Sequence, residues 1–141
     1  MWYRLLVVAI LSCFTSPVEA CSWEGISPEN SERTIPERLR EADNVIHGRV
    51  ISLRKEGSML VATLQVIRSF KGGSGPVTAA SSNGMCGYRF TMDEERIFFI
   101  YHGRVSIAGV EPAEAWLISA LKKAAGQAAK PDTSLERTRG R

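Results

Sequence analysis

Apolar and polar residues alternate over several short stretches of this chain, which is the pattern of half-buried β-strands. The clearest stretch is 59–70, where every second residue from Leu60 to Val66 is apolar and Phe70 is expected on the same face. The stretch 97–101 is apolar at every position and therefore predicts a central strand with both faces buried. Three further strands are predicted at 45–53, 77–80 and 105–110.

Helical spacing occurs before and after these strands. Thr34 is a candidate N-cap for a short helix over 36–42. A second, amphipathic helix is predicted from Glu111 to Ala125, with acidic residues near its start and Gly126 ending it. Its apolar face consists of Trp116, Leu117, Ala120, Leu121 and Ala124. Five short strands with a helix at each end predict a mostly β fold, a small barrel without exposed sheet edges.

The two ends of the chain differ from this domain. Residues 1–20 are predicted to be a signal peptide, because Arg4 precedes an apolar run that is shorter than the roughly 18 residues needed to span a bilayer. Cleavage is expected between Ala20 and Cys21, so the mature protein would be secreted or periplasmic. The barrel then covers 21–110 and the C-terminal helix 111–126, while the basic, apolar-poor residues 127–141 predict a disordered tail.

Composition adds little to this interpretation. The 141 residues are 44% hydrophobic and 23% charged, as in one ordinary globular domain, with a net charge of only +3. This mild excess does not indicate a nucleic-acid partner, and the basic tail is interpreted as solubilising. We expect a monomer.

The cysteines depend on the predicted cleavage. Of the three cysteines, Cys13 leaves with the signal peptide, and Cys21 and Cys86 remain. In an oxidising compartment the simplest arrangement is a disulfide between them. The alternative is a lipoprotein acylated at Cys21, the one case in which we expect a membrane association. Glu19, two positions before the cysteine, is unusual in a lipid signal, but both alternatives remain open.

No catalytic motif stands out. The chain has no phosphate-binding loop, nucleophile elbow or H-E-x-x-H motif. His47 and His102 could join Cys21 and Cys86 in a zinc site, but their spacing fits no known ligand pattern. His47 is interpreted as a strand residue and His102 as a polar residue at the end of a strand. The run 93–95 of three acidic residues is interpreted as a solvated turn. We therefore expect neither an enzyme nor a bound cofactor.

Three stretches together resemble the netrin-like and tissue-inhibitor-of-metalloproteinases superfamily. Residues 41–50 (EADNVIHGRV) resemble its "E-A-D-x-V-F-x-G-x-V" strand, and 66–72 (VIRSFKG) resemble its "V-x-R-x-[FW]-K-G" strand end. Residues 86–90 (CGYRF), followed by 94–101 (EERIFFIY), resemble the "C-G-Y-x-F-x-x-G-E-x-Y-L-V-Y" block of its bacterial members. The resemblance runs from Cys21 to about Tyr101 and implies a five-stranded OB-type barrel.

The resemblance also implies a function. In the animal inhibitors the α-amine and carbonyl oxygen of the N-terminal cysteine chelate the catalytic zinc of a protease, and the next side chain enters its specificity pocket. Carried over, Cys21 would bind the zinc of a target metalloprotease, Ser22 would enter the pocket, and Trp23 would pack or contact the protease. The family begins C-x-C and has a second disulfide, whereas here Trp23 replaces that cysteine and none follows Cys86. The alternative is a non-inhibitory, netrin-like binding module of the cell envelope.

Overall fold

The computed structural model describes residues 24–129. The predicted signal peptide, the three N-terminal site residues and the tail from residue 130 lie outside this range. The described chain contains two helices and five strands, with a 3₁₀ turn at Ile107–Gly109. In chain order these are α1 (Ser31–Glu41), β1 (Asn44–Glu56), β2 (Met59–Lys71), β3 (Val77–Ser82), β4 (Glu95–Ile100), β5 (Val110–Pro112) and α2 (Ala115–Ala128).

The five strands form one antiparallel sheet in the order β3-β2-β1-β4-β5. The prediction of a mostly β, antiparallel fold with a helix before and after the strands is confirmed. The ladders leave the sheet open, with β3 at one edge and β5 at the other. No helix among the described residues is long and apolar enough to cross a bilayer.

Strand β4 lies between β1 and β5 and contributes to a hydrophobic cluster on each face of the sheet. Phe98 and Ile100 pack with residues of β1, β2 and β3, whereas Ile97 and Phe99 pack against the two helices. Successive side chains of a strand point to opposite faces, so a strand with two buried faces must be apolar throughout. The prediction of a central strand with two buried faces is confirmed, although the strand is Glu95–Ile100 and Tyr101 lies outside it.

Irregular pairing between β1 and β2 corrects one predicted face. Val66 pairs with Gly48 and Arg68 with His47, so Ile67 is an extra residue that shifts the register, and a second shift leaves Phe70 itself without a partner in β1. Such a bulge changes which face the following side chains occupy. Phe70 therefore packs in the helix-side cluster rather than with Leu60–Val66, contrary to the simple alternation.

The ends of several elements also differ from the prediction. Helix α1 begins at Ser31 with Asn30 as its N-cap residue, so Thr34 lies within the helix and is buried. The predicted strand over 105–110 is interrupted by the 3₁₀ turn, and only its last residue belongs to β5.

Helix α2 begins four residues later than predicted. Glu111 precedes Pro112, and a residue before proline is disfavoured in helical conformation, so Glu111 is extended and pairs with Ile97. The helix also continues through Gly126 to Ala128, so this glycine does not end it, and the first two residues of the predicted disordered tail are helical. Glycine weakens an exposed helix by only about 1 kcal/mol.

Candidate functional site

The predicted N-terminal site lies at the edge of the described structure. Cys21, Ser22 and Trp23 are outside it, so chelation through Cys21 and its disulfide with Cys86 stay predictions. The described chain begins three residues after Cys21, and the segment 24–30 leads from there into α1.

The start of this segment is held by a buried ion pair between α1 and β5. The backbone N–H of Ile26 donates to Oε1 of Glu111 at 3.0 Å, and Nη1 of Arg38 donates to the same oxygen at 3.2 Å. Arg38 also donates to the carbonyl oxygens of Ala108, at 2.8 Å, and of Glu24, at 2.6 Å. One arginine and one carboxylate thus connect the N-terminal segment to the last strand and the turn before it.

Burial dominates the electrostatics of this pair. Glu111 is only 4% exposed, and burial raises the pKa of its carboxyl group. The Ile26 N–H and the Arg38 guanidinium act in the opposite direction, while nearby Glu114 raises the pKa further. The Arg38 guanidinium also lies 5.4 Å from the centroid of the Phe99 ring, within the range of a cation–π contact.

The sequence predicts Glu111 at the start of a helix, where an acidic side chain would be exposed. The structure corrects this, because the side chain is buried and paired with an arginine 73 residues away. The one local signal was Pro112, which disfavours helical conformation at the preceding residue.

A compact turn at Asn30 also holds this segment. Asn30 accepts a hydrogen bond from the Ser27 N–H at 2.9 Å and donates through Nδ2 to the Gly25 carbonyl at 2.9 Å. The Glu24 carboxylate lies 3.4 Å from Nη2 of Arg33. Because that pair is exposed, its contribution to stability is small. The hydrogen bonds of Asn30 define the path of the chain into α1.

Cys86 lies in the exposed loop between β3 and β4. Its carbonyl oxygen accepts a hydrogen bond from the Ile107 N–H at 3.0 Å, and Gly87 forms an isolated bridge with Ser106. Met85 is 92% exposed beside it. A shallow pocket of about 450 Å³ opens at this loop. It is lined by Asn83, Gly84, Met85, Gly87, Tyr88, Arg89 and Ile107.

The acidic run 93–95 is not simply a solvated turn. Asp93 makes the turn with a φ of 63°, but Glu94 is half-buried and accepts hydrogen bonds from the Tyr88 hydroxyl (2.7 Å) and the Thr91 N–H (2.8 Å). Burial raises the pKa of Tyr88, and Glu94 adds to this. Glu95 begins β4. Sequence reasoning missed the role of Glu94, which closes the loop that carries Cys86.

The two histidines have different partners. Nε2 of His47, a buried β1 residue, lies 2.7 Å from Oε1 of Glu95. Arg49 donates to the other oxygen of Glu95 and, together with His47, lowers the pKa of that carboxyl. His102 follows β4 with a φ of 50° and donates its backbone N–H to Asp43. Within residues 24–129, no group of three or more His, Cys, Asp or Glu side chains could hold a metal ion.

Comparisons with known proteins add no assignment to these observations. No model of a known protein family matches this chain, and no curated protein matches it. The contacts of the described residues and the motifs quoted above are therefore the basis for a function.

Proposed function

We propose that this protein is an exported inhibitor of zinc endopeptidases that acts through its mature N-terminus at Cys21. The observation that carries the proposal is the attachment of the segment that directly follows this residue. Glu24 and Ile26 are hydrogen-bonded to the Arg38–Glu111 pair, so the chain has a fixed base three residues after Cys21. A fixed base lowers the entropy lost when a terminal ligand is ordered on a metal.

The proposed chemistry needs a free α-amine at Cys21. Its pKa of about 7.7–8.0 leaves an appreciable neutral fraction at physiological pH, and a neutral amine can donate its lone pair to a metal. A catalytic zinc with three protein ligands accepts further ligands at its open position. In this proposal the Cys21 amine and carbonyl bind that zinc, Ser22 enters the adjacent pocket, and a Cys21–Cys86 disulfide ties the terminus to the β3–β4 loop. Trp23 contacts the protease or packs against the domain.

A closed OB-type barrel is part of the proposal. Residues 103–105 lie between the edge strand β3 and the end of β4. Ala80 accepts a hydrogen bond from the Val105 N–H and donates to the Gly103 carbonyl, each at 2.9 Å. Tyr101 and Arg104 exchange two backbone hydrogen bonds of 2.9 Å. These bonds support the proposal that 103–105 acts as an additional short strand, beside β1 to β5, that joins the two sides of the sheet.

The residues that carry the family resemblance have structural roles in this fold. Lys71 donates through Nζ to the last carbonyls of α1, and a Cβ at Gly72 would collide with the Asn44 side chain. Asp93 stands where the family pattern has glycine, and its φ of 63° is the left-handed conformation that favours glycine. These structural roles support a fold shared with the family that the motifs resemble. They do not involve the N-terminus, which is the proposed inhibitory site.

The proposal is tested by titrating the processed protein, beginning at Cys21, against a panel of zinc endopeptidases. The matched control carries one additional alanine before Cys21, which converts the amine into an amide and moves the new amine away from the metal. We expect inhibition by the first form and at least a hundredfold weaker inhibition by the second. Equal inhibition by both forms would refute chelation through the terminus.

The absence of inhibition and the mass of the exported protein distinguish the proposed function from its alternatives. If neither form inhibits any peptidase, the proposed function is wrong and the non-inhibitory binding module of the cell envelope takes its place. Intact mass of the exported protein decides between a free and an acylated Cys21, since acylation adds hundreds of daltons and blocks the amine.

A further inference from the structure

We propose that the side chain of Glu111 is the positioning residue of the inhibitory terminus, acting with Arg38 as a noncovalent clasp on the segment 24–26. This inference rests on the proposed function. It goes further by assigning the position of the terminus to one carboxylate on the last strand, far from Cys21 in sequence.

The geometry of the clasp centres on a single oxygen atom. Oε1 of Glu111 accepts hydrogen bonds from both the Ile26 N–H and Arg38. The carboxylate side chain is 5% exposed and the arginine side chain 14%, so water competes little for these contacts. The guanidinium then reaches the Glu24 carbonyl, which extends the contact toward Cys21.

The clasp joins three parts of the domain at one point. Arg38 belongs to α1, Glu111 to β5, and Ala108, whose carbonyl accepts from Arg38, to the 3₁₀ turn before β5. The segment is thereby attached to the helix and to the sheet together. The hydrogen bonds of Glu111 and Arg38 thus connect this segment to the last strand.

The test compares three variants of the protein that begins at Cys21. Glu111→Ala removes the acceptor of the Ile26 N–H, whereas Glu111→Gln retains an oxygen at this position without the charge. Glu37→Ala is the control, because it removes an exposed carboxylate from the same helix that carries Arg38. For each variant, residue-resolved amide hydrogen exchange and the inhibition constant toward a sensitive zinc endopeptidase are measured.

We expect the Ile26 amide of Glu111→Ala to exchange at least tenfold faster, because the buried acceptor of its hydrogen bond is lost. The amides of β4 should keep their protection, and the inhibition constant should rise at least tenfold. Glu111→Gln and Glu37→Ala should stay within about threefold of the unmodified protein in both measurements. Rescue by glutamine, with the β4 amides unchanged, distinguishes positioning from a general loss of stability.

Several results would overturn the inference. Unchanged exchange at Ile26 in Glu111→Ala would refute the clasp, as would equal acceleration at Ile26 and throughout β4. Faster exchange at Ile26 with an unchanged inhibition constant would refute the positioning role. If the unmodified protein inhibits no peptidase, the proposed function and the positioning role both fail, while the exchange measurement still decides whether the clasp exists.

Discussion

Lys71 offers a direct test of whether a motif residue maintains the fold. Its ammonium group donates hydrogen bonds of 2.8 Å and 3.0 Å to the carbonyl oxygens of Leu39 and Arg40, at the end of α1. The last carbonyls of a helix have no partner within the helix, and the helix dipole places negative partial charge there. Lys71→Met keeps most of the apolar stem and removes both hydrogen bonds and the charge.

The expected loss follows from these contacts. A hydrogen bond to a charged group contributes about 1.5–3 kcal/mol, and a cation at a helix C-terminus about 0.3–1 kcal/mol. The two bonds share one ammonium group of a half-buried residue, so their contributions do not add fully. We therefore expect Lys71→Met to lower the free energy of unfolding by about 2 kcal/mol.

Urea unfolding monitored by circular dichroism measures this loss. Lys55→Met is the matched control, because Lys55 is an exposed residue near the end of β1, and its substitution should change stability by no more than about 0.5 kcal/mol. The dependence of the unfolding free energy on urea should be the same in all three proteins. If Lys71→Met and Lys55→Met have equal stability, Lys71 does not stabilise the end of α1, and the structural interpretation of this motif is wrong.

Two further predictions concern Glu111 and the loop of Cys86. Since burial raises the pKa of Glu111, the folded chain keeps this proton at a higher pH than the unfolded chain does. Urea unfolding at several pH values compares the unfolding free energies of the unmodified protein and Glu111→Gln. The value for the unmodified protein, relative to that for Glu111→Gln, should fall as the pH rises from about 4.3 to the raised pKa of Glu111, and it should then level off. A relative gain in stability over that range would show that Arg38 outweighs burial. Met85 is almost fully exposed beside Cys86, so if Cys86 holds the terminus we expect Met85 to contact the protease. Met85→Ala should then weaken inhibition at least fivefold, whereas Met92→Ala, also exposed but in another part of the loop, should change it less than twofold. Equal inhibition constants would show that Met85 does not contact the protease.

Periodicity predicted most of the strands because their burial depends on neighbours in the sequence. The alternation of 59–66 and the continuous apolar run of β4 follow from the geometry of an extended chain, in which successive side chains point to opposite faces. The inward face of α2, with Leu117 and Leu121 buried, followed in the same way from helical spacing. The predicted terminus at Cys21 rests on the processing signal and the family resemblance, and it stays a prediction.

Local pattern failed where a residue's role depends on a distant partner. Phe70 lies on the other face of the sheet because the pairing of β2 with β1 is irregular at both Ile67 and Phe70. The sequence indicates a solvated turn at Glu94, but the Glu94 carboxylate accepts a hydrogen bond from the Tyr88 hydroxyl.

The sequence by itself determined the order of the strands and helices along the chain and most of the apolar faces that they bury, since these depend on residues only a few positions apart. Only the tertiary structure decided that the Glu111 carboxylate is buried. Its partners, Arg38 and the N–H of Ile26, lie 73 and 85 residues away in sequence. A buried carboxylate is tolerated only where charges and donors surround it, and no local pattern records which distant elements will supply them.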